Sequence, residues 1–94
     1  MQLDELRTKY KPAILAIAEK HHAENVRVFG SVVHGNAKED SDVDFLVHLK
    51  PGADLMDLGG LFYDLEVLLG CKVDVVPDDA EIYYPSIVTD AVVL

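Results

Sequence analysis

Apolar residues recur at helical spacing in some stretches of the chain and at strand spacing in others, which predicts a fold that mixes α and β structure. One helical stripe in residues 3–22 consists of Leu3, Leu6, Tyr10, Ile14, Ile17 and Ala18. Pro12 interrupts it. Either a first helix ends near Tyr10 and a second begins with Pro12 in its first turn, or a single helix kinks there.

Three short segments alternate or cluster apolar residues as strands do. Asn25 is expected to mark a turn, after which Val26 to Phe29 form a first strand that ends at Gly30. A second strand is expected from Val43 to Leu49, with Lys50-Pro51-Gly52 as the turn that ends it. A third is expected from Cys71 to Val76.

A second long helix is expected between the last two strands. Asp54 is placed to cap it, its leucines form an apolar face as far as Leu69, and Gly70 is placed to end it. Gly59 and Gly60 lie inside this helix and cost about 1 kcal/mol each relative to alanine. A terminal helix is expected over residues 85–92. Together the elements predict an α/β (α+β) domain with a small mixed β-sheet flanked by helices.

The composition is typical of a globular protein, with 94 residues of which 50% are apolar and 27% charged. A chain of this length buries one core, so we expect one domain over residues 1–94. Its apolar runs fall far short of the ~20 residues of a membrane span, and its start does not resemble a signal peptide. We therefore expect a cytoplasmic protein without a membrane partner.

Acidic residues outnumber basic ones by 17 to 8, which gives a net charge of -9. This charge repels a phosphate backbone, so direct nucleic-acid binding is not expected. It suits the recruitment of divalent cations or a basic protein partner. Cys71 is the single cysteine, which excludes an intrachain disulfide and predicts a small buried thiol.

The candidate chemistry lies in the stretch from Gly30 to Asp44. Here a turn with two glycines and a serine is followed by two aspartates two residues apart, which places Asp42 and Asp44 on one face of the second strand. Asp74 shares that face if the third strand pairs beside the second. His48 lies on the same side but ~13 Å further along the strand, too far to be a ligand.

Clustered carboxylates repel one another, by about 4 kcal/mol for two charges ~4 Å apart at an effective dielectric near 20. Either they take up a proton, which raises a pKa, or they hold a divalent cation such as magnesium. Two metal ions in such a site activate an attacking oxygen and stabilise a leaving phosphate oxygen. The alternative from spacing alone is that the aspartates are the solvated face of an edge strand.

These residues resemble a known family, the minimal nucleotidyltransferases of the DNA polymerase beta-like superfamily. The family pattern is a Gly-Ser turn, a second glycine, a Ser-Asp-x-Asp segment and a third aspartate in a later strand. The residues that match it, in order and at the family's spacing, are Gly30, Ser31, Gly35, Ser41, Asp42, Asp44 and Asp74.

The resemblance implies a polymerase beta-like catalytic core that binds ATP as a substrate. The implied nucleotide-binding residues are Gly30, Ser31, Gly35, Lys38 and Ser41. The implied catalytic and metal-binding residues are Asp42, Asp44 and Asp74, which hold Mg²⁺, with two ions expected. The implied reaction transfers a nucleoside monophosphate to a hydroxyl and releases pyrophosphate.

Two departures from the family bear on the target. Positions 32 and 34, where relatives often carry arginine, hold Val32 and His34, so fewer fixed cations face the triphosphate. The 94 residues are expected to form the catalytic core alone, without the acceptor-binding domain of larger relatives. Many minimal members act as antitoxins that transfer AMP to a HEPN-domain toxin, and we expect such a partner. The alternatives are an antitoxin module that acts by binding alone, and transfer to a small-molecule hydroxyl in a site built by a homo-oligomer.

Overall fold

The structure is a computed structural model that describes residues 1–35, 42–79, 87 and 90–94. Within these residues, four strands form one mixed sheet in the order β3-β2-β1-β4. Strand β1 (Ala23–Phe29) pairs antiparallel with β2 (Val43–Leu49), and β2 pairs parallel with β3 (Val73–Pro77). The predicted mixed sheet with flanking helices is confirmed.

The chain enters the sheet through a helical run in three parts. Helix α1 (Leu3–Glu5) leads directly into a π-helical turn (Leu6–Tyr10), and α2 follows as Lys11–Lys20. Pro12 falls in the first turn of α2, where its missing N–H would have no partner within the helix. Of the two predicted arrangements, the second helix that begins with Pro12 in its first turn is the one observed.

Strand β1 begins earlier than predicted, and the predicted turn at Asn25 is wrong. Asn25 lies inside the strand with φ 49°, at an irregularity in the pairing between Glu24 and Arg27. Asparagine tolerates this left-handed conformation, which is why a turn residue here produces a bulge. Strand β2 has the predicted bounds, and β3 begins two residues later than the expected Cys71.

Helix α4 (Leu55–Leu69) has the predicted caps. The Asp57 N–H donates to the Asp54 side chain at 3.0 Å, and the Asp54 N–H donates to the Asp57 side chain at 3.1 Å. This reciprocal pair is a capping box. Gly70 ends the helix with φ +66°.

The chain ends in a short strand that overlaps the helix expected over residues 85–92 at one position, Val92. Val92–Val93 form β4, which pairs antiparallel with β1 opposite Val28 and Arg27. The Leu94 N–H donates to the Val26 carbonyl at 3.2 Å, and the Leu94 side chain is buried. Residues 92–94 are therefore extended because they form hydrogen bonds with the open edge of β1. In the rest of the predicted helix, residues 87 and 90 are helical and the Ala91 N–H donates to the Ile87 carbonyl at 3.1 Å, whereas residues 85, 86, 88 and 89 lie outside the described residues.

Helices α2 and α4 cover one face of the sheet and enclose the core. The most completely buried side chains include Ile14 of α2, Val28, Val43 and Phe45 of the sheet, and Leu61 and Leu65 of α4. Cys71 packs at the margin and is only partly buried, with burial raising the pKa of its thiol. None of the helices in the described residues is long and apolar enough to cross a bilayer.

Candidate active site

Asp44 and Asp74 lie side by side on the face of the sheet that α2 and α4 leave uncovered. The parallel register between β2 and β3 pairs Asp44 directly with Asp74. Their neighbours Val43 and Val73 point the other way, into the core. Asp42 is exposed and stands just before β2. The predicted adjacency of the second and third strands is confirmed, and it brings Asp74 beside Asp44.

The pKa of Asp44 shows that these carboxylates act on one another. Partial burial raises the pKa of Asp44, and the negative charges of Asp74 and Asp42 raise it further. Both effects disfavour the ionised form. A positive charge brought to this point would relieve the repulsion, and that is the property expected of a cation-binding group of carboxylates.

Gly30 stands against the Asp44 carboxylate. It follows β1 with φ +77°, a backbone conformation that residues other than glycine rarely adopt. A Cβ at this position would also overlap the Asp44 Oδ2 atom. Phe29, the last residue of β1 before Gly30, pairs with Asp44 of the neighbouring strand β2. Glycine is therefore required here both for the turn and for the approach of the turn to the aspartate.

Ser31 begins the four-residue helix α3 (Ser31–His34), which Gly35 ends in a left-handed conformation. The Val33 N–H donates to the Gly30 carbonyl at 3.0 Å, so the turn closes on itself directly beside Asp44. The sequence prediction that the Gly-Ser turn and the aspartates form one site is consistent with this placement. Lys38 and Ser41, the other two predicted nucleotide-binding residues, lie outside the described residues.

His34 has a partner that the sequence did not indicate. Its Nε2 atom lies 2.6 Å from the Asp90 carboxylate, although the two residues are 56 positions apart. Both side chains are about half exposed. The contact joins the last residue of α3 to a residue two positions before β4.

A second polar cluster lies further along the same face of β2. The His48 Nδ1 atom is 3.1 Å from Asp78 Oδ2, and Arg27 donates to the same carboxylate at 3.3 Å. His48 also stands 3.9 Å from Glu24. Arg27 and His48 therefore share the Asp78 carboxylate, and His48 is occupied there. The expectation that His48 is not a ligand of the aspartate site agrees with this arrangement.

The aspartates suit magnesium by their chemistry. Carboxylate oxygens are the ligands that this hard cation prefers, and the repulsion at Asp44 favours a positive charge. As the side chains stand, no three histidine, cysteine, aspartate or glutamate residues of the described part of the chain converge on one metal position. The metal-binding roles of Asp42, Asp44 and Asp74 therefore stay predictions.

The profile of the nucleotidyltransferase-domain family matches residues 10–92, almost the whole chain. The chain belongs to this family. A predicted protein adenylyltransferase of Methanocaldococcus jannaschii is 40% identical over 75 residues, which cover 80% of this chain and 76% of the relative. The protein adenylyltransferase MntA of Thermococcus cleftensis is 39% identical over 75 residues, covering 80% and 73% respectively.

Solved structures agree with this assignment. A structure described as a predicted minimal nucleotidyltransferase has a TM-score of 0.84 at 41% identity and covers 100% of this nucleotidyltransferase and 97% of its own chain. A chain of a toxin-antitoxin crystal structure with AMP-PNP has a TM-score of 0.74 at 20% identity, covering 89% and 71%, and shows the shared fold. The predicted enzyme class and the predicted minimal nucleotidyltransferase fold are confirmed.

Proposed function

We propose that this nucleotidyltransferase transfers AMP from ATP to a hydroxyl of a partner protein in a magnesium-dependent reaction, as the antitoxin of a HEPN-type toxin. The observation that carries the proposal is the group formed by Asp44, Asp74 and the Gly30 turn. A nucleotide phosphate at this turn would lie beside the carboxylates that are to hold the cation.

Each part of the group has a chemical task in such a transfer. Asp42, Asp44 and Asp74 would hold magnesium, which supplies positive charge to the phosphates and to the developing charge of the reaction. The backbone at Gly30 and Ser31 would position the phosphates. Asp74 would help to remove the proton of the acceptor hydroxyl. The new bond joins the acceptor oxygen to the α-phosphorus, and the bond from the α-phosphorus to the bridging oxygen breaks, so pyrophosphate leaves.

A protein acceptor is supported by the relatives and by charge. Two relatives near 40% identity are named as protein adenylyltransferases. Solved structures of the same fold come from toxin-antitoxin complexes, one of them with AMP-PNP and another named MntA-HpeT. The net charge of -9 favours a basic protein surface over RNA as the binding partner.

The test is label transfer to the product of the adjacent gene. The purified protein, that product and magnesium are incubated with ATP labelled either at the α-phosphate or at the γ-phosphate. We expect label on the partner from the α-position alone, and a loss of about 100-fold or more with Asp44→Asn or Asp74→Asn. Asp79→Asn, which removes an exposed carboxylate just after β3, is the matched control and should retain full transfer.

The proposal fails if no α-label reaches the partner, or if the Asp44→Asn variant transfers as much label as the control. Label from the γ-position would indicate phosphoryl transfer instead. Chelation of magnesium should abolish the reaction and should be reversed by adding the ion back.

The contact of His34 with Asp90 favours a second candidate, an antitoxin that neutralises its partner by binding alone. With Asp90 as its neighbour, His34 has a negative partner already, which leaves less positive charge available for a triphosphate. Calorimetry distinguishes the two functions. If MgATP does not bind while the Asp44→Asn variant still neutralises the toxin, the protein acts by contact.

A further inference from the structure

The outward side of α4 is apolar. Four large hydrophobic side chains of this helix are between 66% and 83% exposed, namely Leu55, Met56, Tyr63 and Val67. With 3.6 residues per turn, these positions and the exposed Gly59 fall within about one third of the helix circumference. We refer to these five residues as the α4 outer face.

An apolar outer face is unusual because the opposite side of α4 is apolar as well. Leu61, Leu65 and Leu69 are buried in the core. A surface helix normally directs polar residues to solvent, and a helix that is apolar on both sides is covered on both sides. Contiguous exposed apolar residues of this kind mark interaction sites.

Gly59 supports the same conclusion. Nothing lies within 4 Å of the position that a Cβ would occupy there, and the backbone angle is not one that requires glycine. Glycine inside a helix costs roughly 1 kcal/mol relative to alanine. No contact within the described residues accounts for this cost, whereas a partner packed closely against the helix backbone would.

The charges around the face indicate which partner fits. Helix α4 contains no basic residue. The nearby Lys20 already has a partner, since it contacts Asp64, and the neighbouring His21 and His22 contact Asp64 and Asp57. Glu66, which falls within the same third of the helix circumference as the α4 outer face, makes no ion pair within the described part of the chain. The uncompensated charge beside the apolar patch is therefore negative.

We propose that the α4 outer face docks a protein whose contact surface is apolar at its centre and carries lysine or arginine at its rim. This proposal rests on the proposed function in one respect, because it takes the acceptor protein as the occupant. A second copy of the chain fits less well, since it would bring its own Glu66 and its own net charge of -9 to the interface.

The position of the face separates recognition from chemistry. Helix α4 covers the side of the sheet into which Val43 and Phe45 point, whereas Asp44 lies on the other side. A partner held at α4 therefore leaves the aspartates and the Gly30 turn accessible. Substitutions in the face should change partner affinity and leave MgATP affinity as it is.

The experiment measures binding of the adjacent gene product to the full chain by calorimetry without nucleotide. We expect Tyr63→Ser to weaken binding about tenfold or more, because buried tyrosines dominate such interfaces. Gly59→Ala should weaken it while raising the melting temperature. Glu66→Lys should weaken it and reduce its dependence on salt. Leu15→Ser, which removes an exposed leucine of α2 outside the face, is the matched control and should bind as the wild type does.

Light scattering of the free protein and the label-transfer assay complete the test. A dimer that Tyr63→Ser dissociates would overturn the proposal in favour of a second copy. Equal binding by Tyr63→Ser and Leu15→Ser, or no binding by the wild type, would also overturn it. If Tyr63→Ser binds the partner with wild-type affinity and still transfers label, the docking proposal is wrong and the proposed activity stands. If the partner docks on the wild type as expected but receives no label, the docking proposal stands and the proposed activity is wrong.

Discussion

Gly59 and Gly60 are neighbours in α4 with different surroundings, and they provide a matched pair of substitutions. A Cβ at Gly59 meets nothing within 4 Å, whereas a Cβ at Gly60 would overlap the imidazole ring of His21. Alanine has the higher helix propensity, and it also stabilises the protein because it reduces the conformational entropy of the unfolded chain. We therefore expect Gly59→Ala to raise the free energy of unfolding by about 0.4–1 kcal/mol.

Gly60→Ala should have the opposite effect. The same helix propensity is gained, but an extra methyl group in a packed contact costs about 1–3 kcal/mol. The ring cannot move aside freely, because its Nε2 atom is 2.7 Å from the Asp64 carboxylate and its side chain is only 15% exposed. The net change should lie between no gain and a loss of about 2 kcal/mol.

Thermal and urea unfolding measure the difference between the two variants. In a domain of this size, 1 kcal/mol corresponds to a shift in Tm of about 4–8 °C. Equal stabilisation by both substitutions would refute the assigned role of Gly60. A double-mutant cycle adds a control, since Gly60→Ala should become stabilising once His21→Ala has removed the ring.

Three further predictions concern the α4 cap, acid stability and the nucleotide turn. Asp54→Ala removes the acceptor of the capping box and should lower the free energy of unfolding in urea by about 1 kcal/mol; an unchanged midpoint would contradict the role of this cap. The hydrogen bond from His21 lowers the pKa of Asp64, so this stabilisation is complete above the unfolded-state value of about 3.9 and is lost as the pH falls through the folded-state value. Asp64→Asn should therefore flatten the fall of Tm below about pH 4, and a fall of Tm equal to that of the wild type would show that Asp64 does not contribute to acid stability. Asp90→Asn removes the negative partner of His34 and should therefore strengthen MgATP binding in calorimetry roughly two- to fivefold, the range for a half-exposed pair, and unchanged or weaker affinity would contradict this role of Asp90.

Local signals predicted the elements whose ends are fixed by their own sequence. The bounds of β2 and α4 follow from alternation in Val43 to Leu49 and from the caps Asp54 and Gly70, each of which acts within a few residues. The same alternation correctly placed Asp74 on the face of Asp44, because the side-chain period of a strand leaves only two choices.

Contacts between distant parts of the chain account for what the sequence did not show. Val92 and Val93 are a strand because β1 offers them an open edge, and no local pattern contains that edge. Asp90 meets His34 across 56 positions. The predicted turn at Asn25 is wrong for another reason, since a left-handed asparagine suits a bulge as well as a turn.

The central position of β2 in the sheet helps to offset the repulsion between Asp44 and its neighbouring carboxylates. Because the pKa of Asp44 is raised by burial and by Asp74, ionisation of Asp44 at neutral pH opposes folding. The same strand compensates with Phe45 and its apolar neighbours, which are 0–1% exposed and number among the most deeply buried residues of the described chain. Strands on both sides also hold its backbone. The edge strand β3 has a neighbour on one side only, and its Asp74 is exposed, so the more buried carboxylate of the candidate site, Asp44, lies on the better supported strand.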